Sequence, residues 1–335
     1  MTAPLEVSGS AQEAQPEAVV AGVAAKAIEG RSLGQIAWLR LKRDKVAMAG
    51  GIIVLLLVLV AIFANQINSL LGQDPNAFNS NLIDRNLSIP KGSFGGMSWH
   101  HLLGVEPVNG RDILARIIAG AQVSMIIAFL ATGLSVVIGV SVGMVAGYFG
   151  GVVDQALSRL MDLLLAFPLL LFAIALVYVL GDNSLFGFSA DWTRIAVLVI
   201  IIGFFNWPYI GRIIRGQTLS LREKEYVEAA RSLGAGSGRI LFRELLPNLV
   251  GPILVYSTLI IPTNILFEAA LSFLGVGVRA PRASWGAMLS DASQGFFQID
   301  PMYMVVPGAA LFITVMAFNL FGDGLRDALD PRSNR

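Results

Sequence analysis

Long apolar runs separated by short charged segments dominate the pattern of this chain. Crossing a hydrocarbon core of about 30 Å takes roughly 20 apolar residues in a helix. Six stretches reach that length once the flanks of their uncharged cores are included, namely residues 46–65, 117–147, 160–180, 194–212, 250–275 and 302–322. The pattern therefore predicts an all-α membrane protein with six transmembrane helices.

The first 45 residues follow a different pattern. Residues 1–35 hold almost no large apolar side chains, which predicts a disordered cytosolic tail. Its early charges are acidic, and this argues against a secretory signal. Residues 36–45 mix Trp38 and leucines with four basic side chains. They predict either a short interfacial helix on anionic lipid or simply the positive flank of the first span, and both readings stay open.

The distribution of Lys and Arg predicts the orientation. With the N-terminus in the cytosol, 17 of the 24 basic residues lie on the inner side, as the positive-inside rule requires. Both termini are then cytosolic, including a C-terminal tail at residues 326–335. Residues 66–112 form the largest external loop. This loop is the last part of an N-terminal unit of residues 36–112. Residues 276–301 form a second external loop.

Composition supports a chain that lies mostly in the bilayer. It is 55% hydrophobic and 14% charged, with a mean hydropathy of +0.68, whereas soluble domains carry about 25% charged residues. There is no cysteine, and the two histidines, His100 and His101, are adjacent. We therefore expect no metal site, no cofactor and no nucleic-acid partner. The chain also lacks a convergent nucleophile and base, so we expect no catalytic residues.

Small residues recur every fourth position along the second span, at Ser135, Gly139, Gly143, Gly147 and Gly151. Such residues lie along one stripe of a helix and let a second helix approach closely. We assign Gly139, Gly143 and Gly147 to helix packing. A conformational hinge is the alternative, because glycine lowers helix rigidity.

Prolines and one carboxylate interrupt the apolar spans. The prolines at positions 168, 208, 252, 262 and 307 each remove a helical hydrogen bond, which fits either a translocation pathway or static bends. Glu268 lies near the predicted outer end of the fifth span, within reach of water. We expect it to hydrogen-bond to the following loop rather than to relay protons.

A charged segment lies between the fourth and fifth spans. Residues 212–244 carry eleven charges, and Tyr226, Ala229, Ala230 and Leu233 follow the spacing of one helical face. Gly234 is a helix stop, because glycine accepts the left-handed conformation. A second helix from residue 239, bent at Pro247, would complete a helix–turn–helix along the membrane surface. A solvated, self-paired loop is the alternative.

The chain lacks a nucleotide-binding loop. Gly234-Ala-Gly236-Ser-Gly238 has no following Lys and Ser/Thr, and the dipeptide Gly-Lys occurs nowhere. Residues 275–280 match a dinucleotide fingerprint only in spelling, because they follow a membrane span rather than a strand. We therefore expect any ATP to be bound and hydrolysed by other chains.

The charged segment resembles a known family. Glu228-Ala-Ala with Gly234 and Leu246-Pro247 is similar to the EAA loop of bacterial ABC-importer permeases. Further stretches resemble permeases of the dipeptide/oligopeptide C-subunit type, namely His101-Leu-Leu-Gly104, Gly110-Arg-Asp112, Gly120-Ala-Gln-Val-Ser124, Glu268-Ala-Ala-Leu-Ser-Phe-Leu-Gly275, Ser284-Trp-Gly-Ala-Met-Leu289 and Gly322-Asp-Gly-Leu-Arg-Asp-Ala-Leu-Asp-Pro331. The resemblance covers residues 36–332. It departs at Gly104-Val-Glu106, where family members usually read Gly-Thr-Asp.

The resemblance implies a type I ABC importer permease fold, with an added N-terminal span before a five-helix core at residues 113–325. It implies a cytosolic EAA loop at residues 212–247 that contacts the ATPases through Glu225, Glu228, Ala229, Ala230, Arg231, Gly234 and Pro247. It also implies a second permease subunit, two ATPase subunits, an extracytoplasmic solute-binding protein, and a place in the bacterial inner membrane. The implied cargo is a dipeptide or oligopeptide.

Other functions remain open at this point. An ion-coupled secondary transporter would need intramembrane carboxylates or inverted repeats, and Glu268 is its only weak candidate. A membrane scaffold or receptor would need neither the Gly234 turn nor the proline-broken spans. Haem, nickel chelates or other small solutes are alternative cargoes, and the sequence assigns no residue to cargo binding.

Overall fold

The computed structural model describes residues 33–92, 94–180, 189–298 and 300–330. The predicted N-terminal tail lies outside the described residues up to position 32, as do positions 331–335 of the C-terminal tail. The described residues contain helices and no named strand, with isolated bridges at Ile83–Pro90 and Val105–Asp112 in the external loop. The fold is therefore all-α in the part of the chain that the structure describes.

The N-terminal helices are α1 (Leu33–Arg43), α2 (Lys45–Ile62) and α3 (Ala64–Leu70). Asp44 separates the first two, and its Oδ1 accepts hydrogen bonds from the amides of Val46 and Ala47 at 2.9 and 3.0 Å. An aspartate in this position satisfies amides that the first helical turn leaves unpaired. The first predicted span is therefore α2, with α1 as a separate basic helix before it.

The helices of the core follow the external loop. They are α4 (Ile113–Phe149), α5 (Gly151–Ala166), α6 (Leu169–Leu180), α7 (Ala190–Leu221), α8 (Glu225–Ser232), α9 (Ser237–Arg239), α10 (Leu246–Phe273), α11 (Trp285–Ser293) and α12 (Met302–Leu329). Five spans in the described ranges are long and apolar enough to cross a membrane, and the bent pair α5–α6 makes a sixth.

The third predicted span is not continuous. Residues 160–180 were expected as one helix, but α5 and α6 meet at an angle of 79°. The break lies at Phe167-Pro168, where Phe167 is extended with ψ of 134°. A residue before proline disfavours the helical region, and proline itself has no amide to donate. Pro208, Pro262 and Pro307, by contrast, lie inside uninterrupted helices.

The glycine stripe of α4 lies against α7. A Cβ added at Gly143 would be 2.5 Å from the carbonyl oxygen of Gly211, and one added at Gly147 would be 2.7 Å from the Cβ of Thr218. At Gly139 it would meet the Cβ of Ile210 at 2.8 Å. These distances leave no room for a methyl group, so the two helices touch backbone to backbone along this stripe.

Buried polar side chains fasten α10 to its neighbours. The Asn264 side-chain amide donates to the Thr132 hydroxyl of α4, and its oxygen accepts from Asn206 of α7, both at 2.8 Å. Hydrogen bonds of this kind join helices in an apolar medium because the alternative is an unsatisfied polar group.

Glu268 is fully buried, so the expected access to water is wrong. The hydroxyls of Ser124 in α4 and Ser272 in α10 donate to its carboxylate at 2.8 and 2.7 Å. The Ser272 oxygen in turn accepts from the amide of Val278 at 3.1 Å. The carboxylate is covered because α4 and the loop after α10 close over it. It therefore joins α10, through Ser272, to the following loop.

A buried ionic cluster holds the external loop on the bundle. Glu106, the position of the departure from the family pattern, pairs with Arg111 and lies 3.1 Å from Nε of Arg116. Tyr303 of α12 approaches the same carboxylate at 3.5 Å. A buried charge requires such partners, because an unpaired ion in the interior is strongly destabilising. The cluster thus ties residues 104–116 to α12.

The close contact between α4 and α7 predicts opposite outcomes at two glycines of α4. Gly143→Ala should lower stability by about 1–3 kcal/mol, since the added methyl overpacks a filled contact. Gly133→Ala is the matched control, because nothing lies within 4 Å of its added Cβ. The measurement is the thermal unfolding midpoint of the detergent-solubilised protein. Equal midpoints for the two variants would contradict this packing.

Candidate functional site

The charged segment is anchored to the bundle through one side chain of α8. Val227 is fully buried (0% exposed), and it belongs to an apolar cluster with Ile214 of α7, Met144 of α4, Ile240 before α10 and Leu249 within α10. A fully buried valine contributes on the order of 1.5–3 kcal/mol relative to an exposed one. The segment is therefore a structured element that contacts three long helices.

The opposite side of α8 is exposed. Glu225 and Glu228 lie in its first turn, where the partial positive charge of the helix N-terminus favours carboxylates. Within the described ranges, neither carboxylate has an ion-pair partner. Ala229 is exposed and Ala230 is half-buried, so small side chains lie beside the two carboxylates in sequence.

Two arginines connect the segment to the end of α4. The guanidinium of Arg231 lies 6.0 Å from the centroid of the Tyr148 ring, within the range of a cation–π contact. Arg222, which directly follows α7, donates to the carbonyl oxygen of Gly147 at 3.0 Å. Both contacts lie where the glycine stripe ends, so they connect α8 and the residue after α7 to the end of α4.

Gly234 forms the turn after α8. Its φ is +82°, its amide donates to the carbonyl of Arg231 at 3.0 Å, and the amide of Ala235 donates to that of Ala230 at 3.0 Å. This pair of bonds is the Schellman pattern, which satisfies the last carbonyls of a helix and requires a left-handed residue. Nothing lies within 4 Å of a Cβ added at Gly234. The requirement for glycine is therefore conformational rather than steric.

The chain returns to the bundle through a widened helical turn. Residues Ile240–Leu245 form a π-helix, and the amide of Leu246 donates to the carbonyl of Leu241, five residues back. Pro247 follows and has no amide to continue the ladder. The side chain of Asn248 donates to the carbonyl of Glu244 at 2.7 Å. Pro247 thus lies at the junction of the returning turn and α10, where the sequence predicted a bend.

Large apolar side chains project from this otherwise charged segment. Leu233 is 89% exposed, Phe242 66% and Tyr226 39%. Partial burial and the nearby carboxylate of Glu244 raise the pKa of the Tyr226 phenol, so the ring carries no charge at neutral pH. Exposed apolar groups rimmed by charges are typical of protein-binding surfaces.

The predicted site residues fall into two groups. Glu225, Glu228 and Ala229 lie on the exposed surface, whereas Arg231 and Gly234 shape and fasten the helix. Val227 and Phe242 were not among the predicted residues. No local signal marks Val227, because one valine beside Tyr226 in a charged segment reads the same whether it is buried or exposed.

Two known families match this chain. "Binding-protein-dependent transport system inner membrane component" matches residues 139–335, and "N-terminal TM domain of oligopeptide transport permease C" matches residues 32–87. The first match begins inside α4 and includes all of the charged segment. It also contains the four spans that follow α4. The second includes α1 and α2.

Curated relatives match along most of their length. The dipeptide transport system permease protein DppC of Alkalihalophilus pseudofirmus is 40% identical over 296 residues, which is 88% of this chain and 89% of the relative. The glutathione transport system permease protein GsiD of Pectobacterium atrosepticum is 38% identical over 295 residues, covering 88% of this chain and 90% of the relative.

A solved structure shares the fold. It is described as "Inward facing conformations of the MetNI methionine ABC transporter: CY5 native crystal form". The match has a TM-score of 0.51 at 18% identity and covers 65% of this chain and 98% of the other. At this identity the likeness establishes the type I permease architecture alone.

The left-handed turn predicts a position-specific effect of valine. Gly234→Val should raise amide hydrogen exchange in the last turn of α8 by about 5- to 30-fold, because a left-handed residue with a Cβ costs on the order of 1–2 kcal/mol. Gly236→Val is the control, since Gly236 has φ of −70° and equally open surroundings. The check is exchange followed by mass spectrometry. Equal protection in both variants would contradict the assignment of the turn.

Proposed function

This chain belongs to the family of binding-protein-dependent transport system inner-membrane components, and we propose that it is one of two permease subunits through which an ABC importer moves dipeptides or oligopeptides. Family membership supports the role of a membrane-spanning permease. The roles of the subunits, the cargo and the orientation in the membrane are parts of the proposal.

The observation that carries the coupling role is the anchored but exposed α8. Its small alanine side chains permit close approach to a groove on a partner, and the unpaired carboxylates of Glu225 and Glu228 orient that partner. Leu233 supplies an apolar group to bury on contact. We assign the partner as an ATPase subunit, because this chain has no nucleotide-binding loop of its own.

The connections of α8 support transmission of movement to the spans. Val227 and Arg222 fix it to the ends of α4 and α7. The Gly234 turn and the π-turn before Pro247 connect it to α10. A displacement of α8 by the ATPases therefore acts on three spans together, and we propose that this switches the pathway between outward and inward access.

The names of the relatives support a peptide cargo. Proteins 40% and 38% identical to this chain are named for dipeptide and glutathione transport, and both names denote short peptides. An ion-coupled secondary transporter receives no support from the described residues. Its one candidate carboxylate, Glu268, is held by serine hydroxyls as a structural bond between helices.

The proposed assembly contains this chain, a second permease, two ATPase subunits and an extracytoplasmic solute-binding protein. It lies in the bacterial inner membrane, with α8 and both termini in the cytosol. The excess of Lys and Arg on the α8 side supports this orientation. No cofactor is assigned to the chain, and ATP is bound by the partner subunits.

Reconstituted transport tests the coupling role. Proteoliposomes that hold the complete importer should take up a labelled peptide only with ATP and the binding protein, and the permease pair without ATPases should hydrolyse no ATP. Gly234→Val should reduce uptake by about tenfold while the complex still assembles, because the strain of a left-handed valine falls on the coupling turn. Gly236→Val should transport normally.

Two results would contradict this proposal. Uptake of peptide that is undiminished by Gly234→Val would remove the coupling role from this turn. Peptide uptake that proceeds without ATPase subunits, driven by an ion gradient, would replace the ABC importer with the secondary-transporter alternative.

The natural absence of cysteine makes the orientation directly measurable. Ser237→Cys, beside α8, should be protected from a membrane-impermeant maleimide in intact cells and react after permeabilisation. Ser80→Cys, in the external loop, should react in intact cells, since both serines are exposed. The reverse labelling pattern would invert the proposed topology.

A further inference from the structure

A cleft opens between α3, α4 and the start of α7, at the end of the bundle that carries the external loop. Its volume is about 380 Å³, and it is lined by Asn65, Gln122, Ile126, Trp192 and Arg282 among others. Small-molecule sites in proteins have volumes of about 300–1,000 Å³. The cleft therefore has room for a short peptide or one end of a longer one.

Three polar side chains of this cleft, and one atom of a fourth, make no hydrogen bond within the part of the chain that the structure describes. The amides of Asn65 and Gln122 and the indole N–H of Trp192 make no hydrogen bond to any described residue. Nε of Arg282 is buried and also has no hydrogen-bond acceptor in the described part of the chain. Asn65 and Trp192 are exposed and Gln122 is partly buried, so water reaches these three groups. The buried Nε of Arg282 is the polar atom of this cleft that a ligand acceptor would satisfy.

Arg282 is held in position from two sides. Its guanidinium lies 4.3 Å from the centroid of the Trp192 ring, and its Nε lies 3.7 Å from a carboxylate oxygen of Asp191. Stacking on the indole restricts the guanidinium plane. A guanidinium fixed in this way loses little conformational freedom on binding a carboxylate through two parallel hydrogen bonds.

The charge around the cleft is positive. A smaller adjoining cavity is lined by Asp191, Arg194 and Arg279 together with Arg282. Three guanidinium groups thus surround one carboxylate. Arg194 also donates to the carbonyl of Gly277 at 3.2 Å, which fixes it in the wall. The excess of positive charge favours an anionic ligand.

We propose that this cleft binds the C-terminal carboxylate of the peptide cargo, with Arg282 as its main contact. The inference rests on the proposed function, and it adds a substrate subsite to it. The carboxylate pairs with Arg282, the amides of Asn65 and Gln122 bond the adjoining peptide group, and Ile126 contacts the side chain of the cargo.

The amides favour a peptide over the phosphate of an outer-leaflet lipid, which is the other source of an oxyanion here. A carboxamide offers both a donor and an acceptor. A peptide group presents the complementary pair, whereas a phosphodiester presents acceptors only. A peptide group can therefore pair with both the donor and the acceptor of Asn65 or Gln122, whereas a phosphodiester can pair only with the donor.

Binding to the assembled importer in phosphatidylcholine nanodiscs tests the proposal. The probes are trialanine with a free carboxylate and trialanine C-terminal amide, and the readout is Kd by calorimetry. Arg282→Gln should weaken binding of the free acid by about tenfold or more and leave binding of the amide unchanged. Arg85→Gln, which removes an exposed external arginine away from the cleft, should change neither Kd.

A second variant separates the subsite from a fold defect. Gln122→Leu should weaken both probes, because it removes a contact to the peptide group rather than to the carboxylate. Assembly of each variant into the complex and its thermal unfolding midpoint should match those of the wild type when no peptide is present.

Three results would overturn the inference. The first is an equal effect of Arg282→Gln on acid and amide. The second is an effect of Arg282→Gln that appears only when phosphatidylglycerol is added, which would assign the cleft to a lipid headgroup. The third is that the wild type binds the acid and the amide with equal Kd while it still takes up peptide with ATP. That result would overturn the subsite and leave the proposed function intact. Loss of wild-type uptake itself would instead contradict the proposed function.

Discussion

Backbone contact between α4 and α7 is the constraint on which the rest of the structure depends. The glycine stripe lets the two helices touch along three successive turns, and a methyl group at any of the three would lie within 3 Å of α7. In lipid, where apolar burial between helices gains little, such close packing is a principal source of association. The close contact between the two helices ends at Gly147 and Thr218. Near this point α8 packs beside the ends of both helices.

The charged segment is held at this site by different forces at its two ends. Val227 fills an apolar pocket between the helix ends, whereas the Gly234 turn and the π-turn supply backbone hydrogen bonds in a segment that is otherwise exposed. A loop held only by surface charges would be loosely positioned, since exposed ion pairs contribute at most about 1 kcal/mol. The buried anchor fixes the position of the exposed face of α8.

The sequence predicted those features that depend on local rules. The length of the apolar runs predicted the spans, and the spacing of small residues predicted the packing stripe of α4. Gly234 predicted the end of α8. It missed the features that depend on which helices meet. Nothing local marks Val227 as an anchor, and the break at Phe167-Pro168 differs from Pro208 only in context. Glu268 is buried because α4 and a later loop cover it, which no pattern within its own helix records.

The two ends of the bundle are held differently, and this bears on how a permease moves. At the end with the external loop, charges and hydroxyls are buried: Glu106 with its arginines, and Glu268 with its serines. Breaking such contacts leaves an uncompensated buried group, which costs several kcal/mol. At the α8 end the buried contact is apolar, through Val227, and the Arg222 bond to Gly147 is only partly buried, so a small shift there leaves no buried charge without a partner. A force applied at α8 is therefore expected to move that end of the bundle first, with the external end as the fixed support.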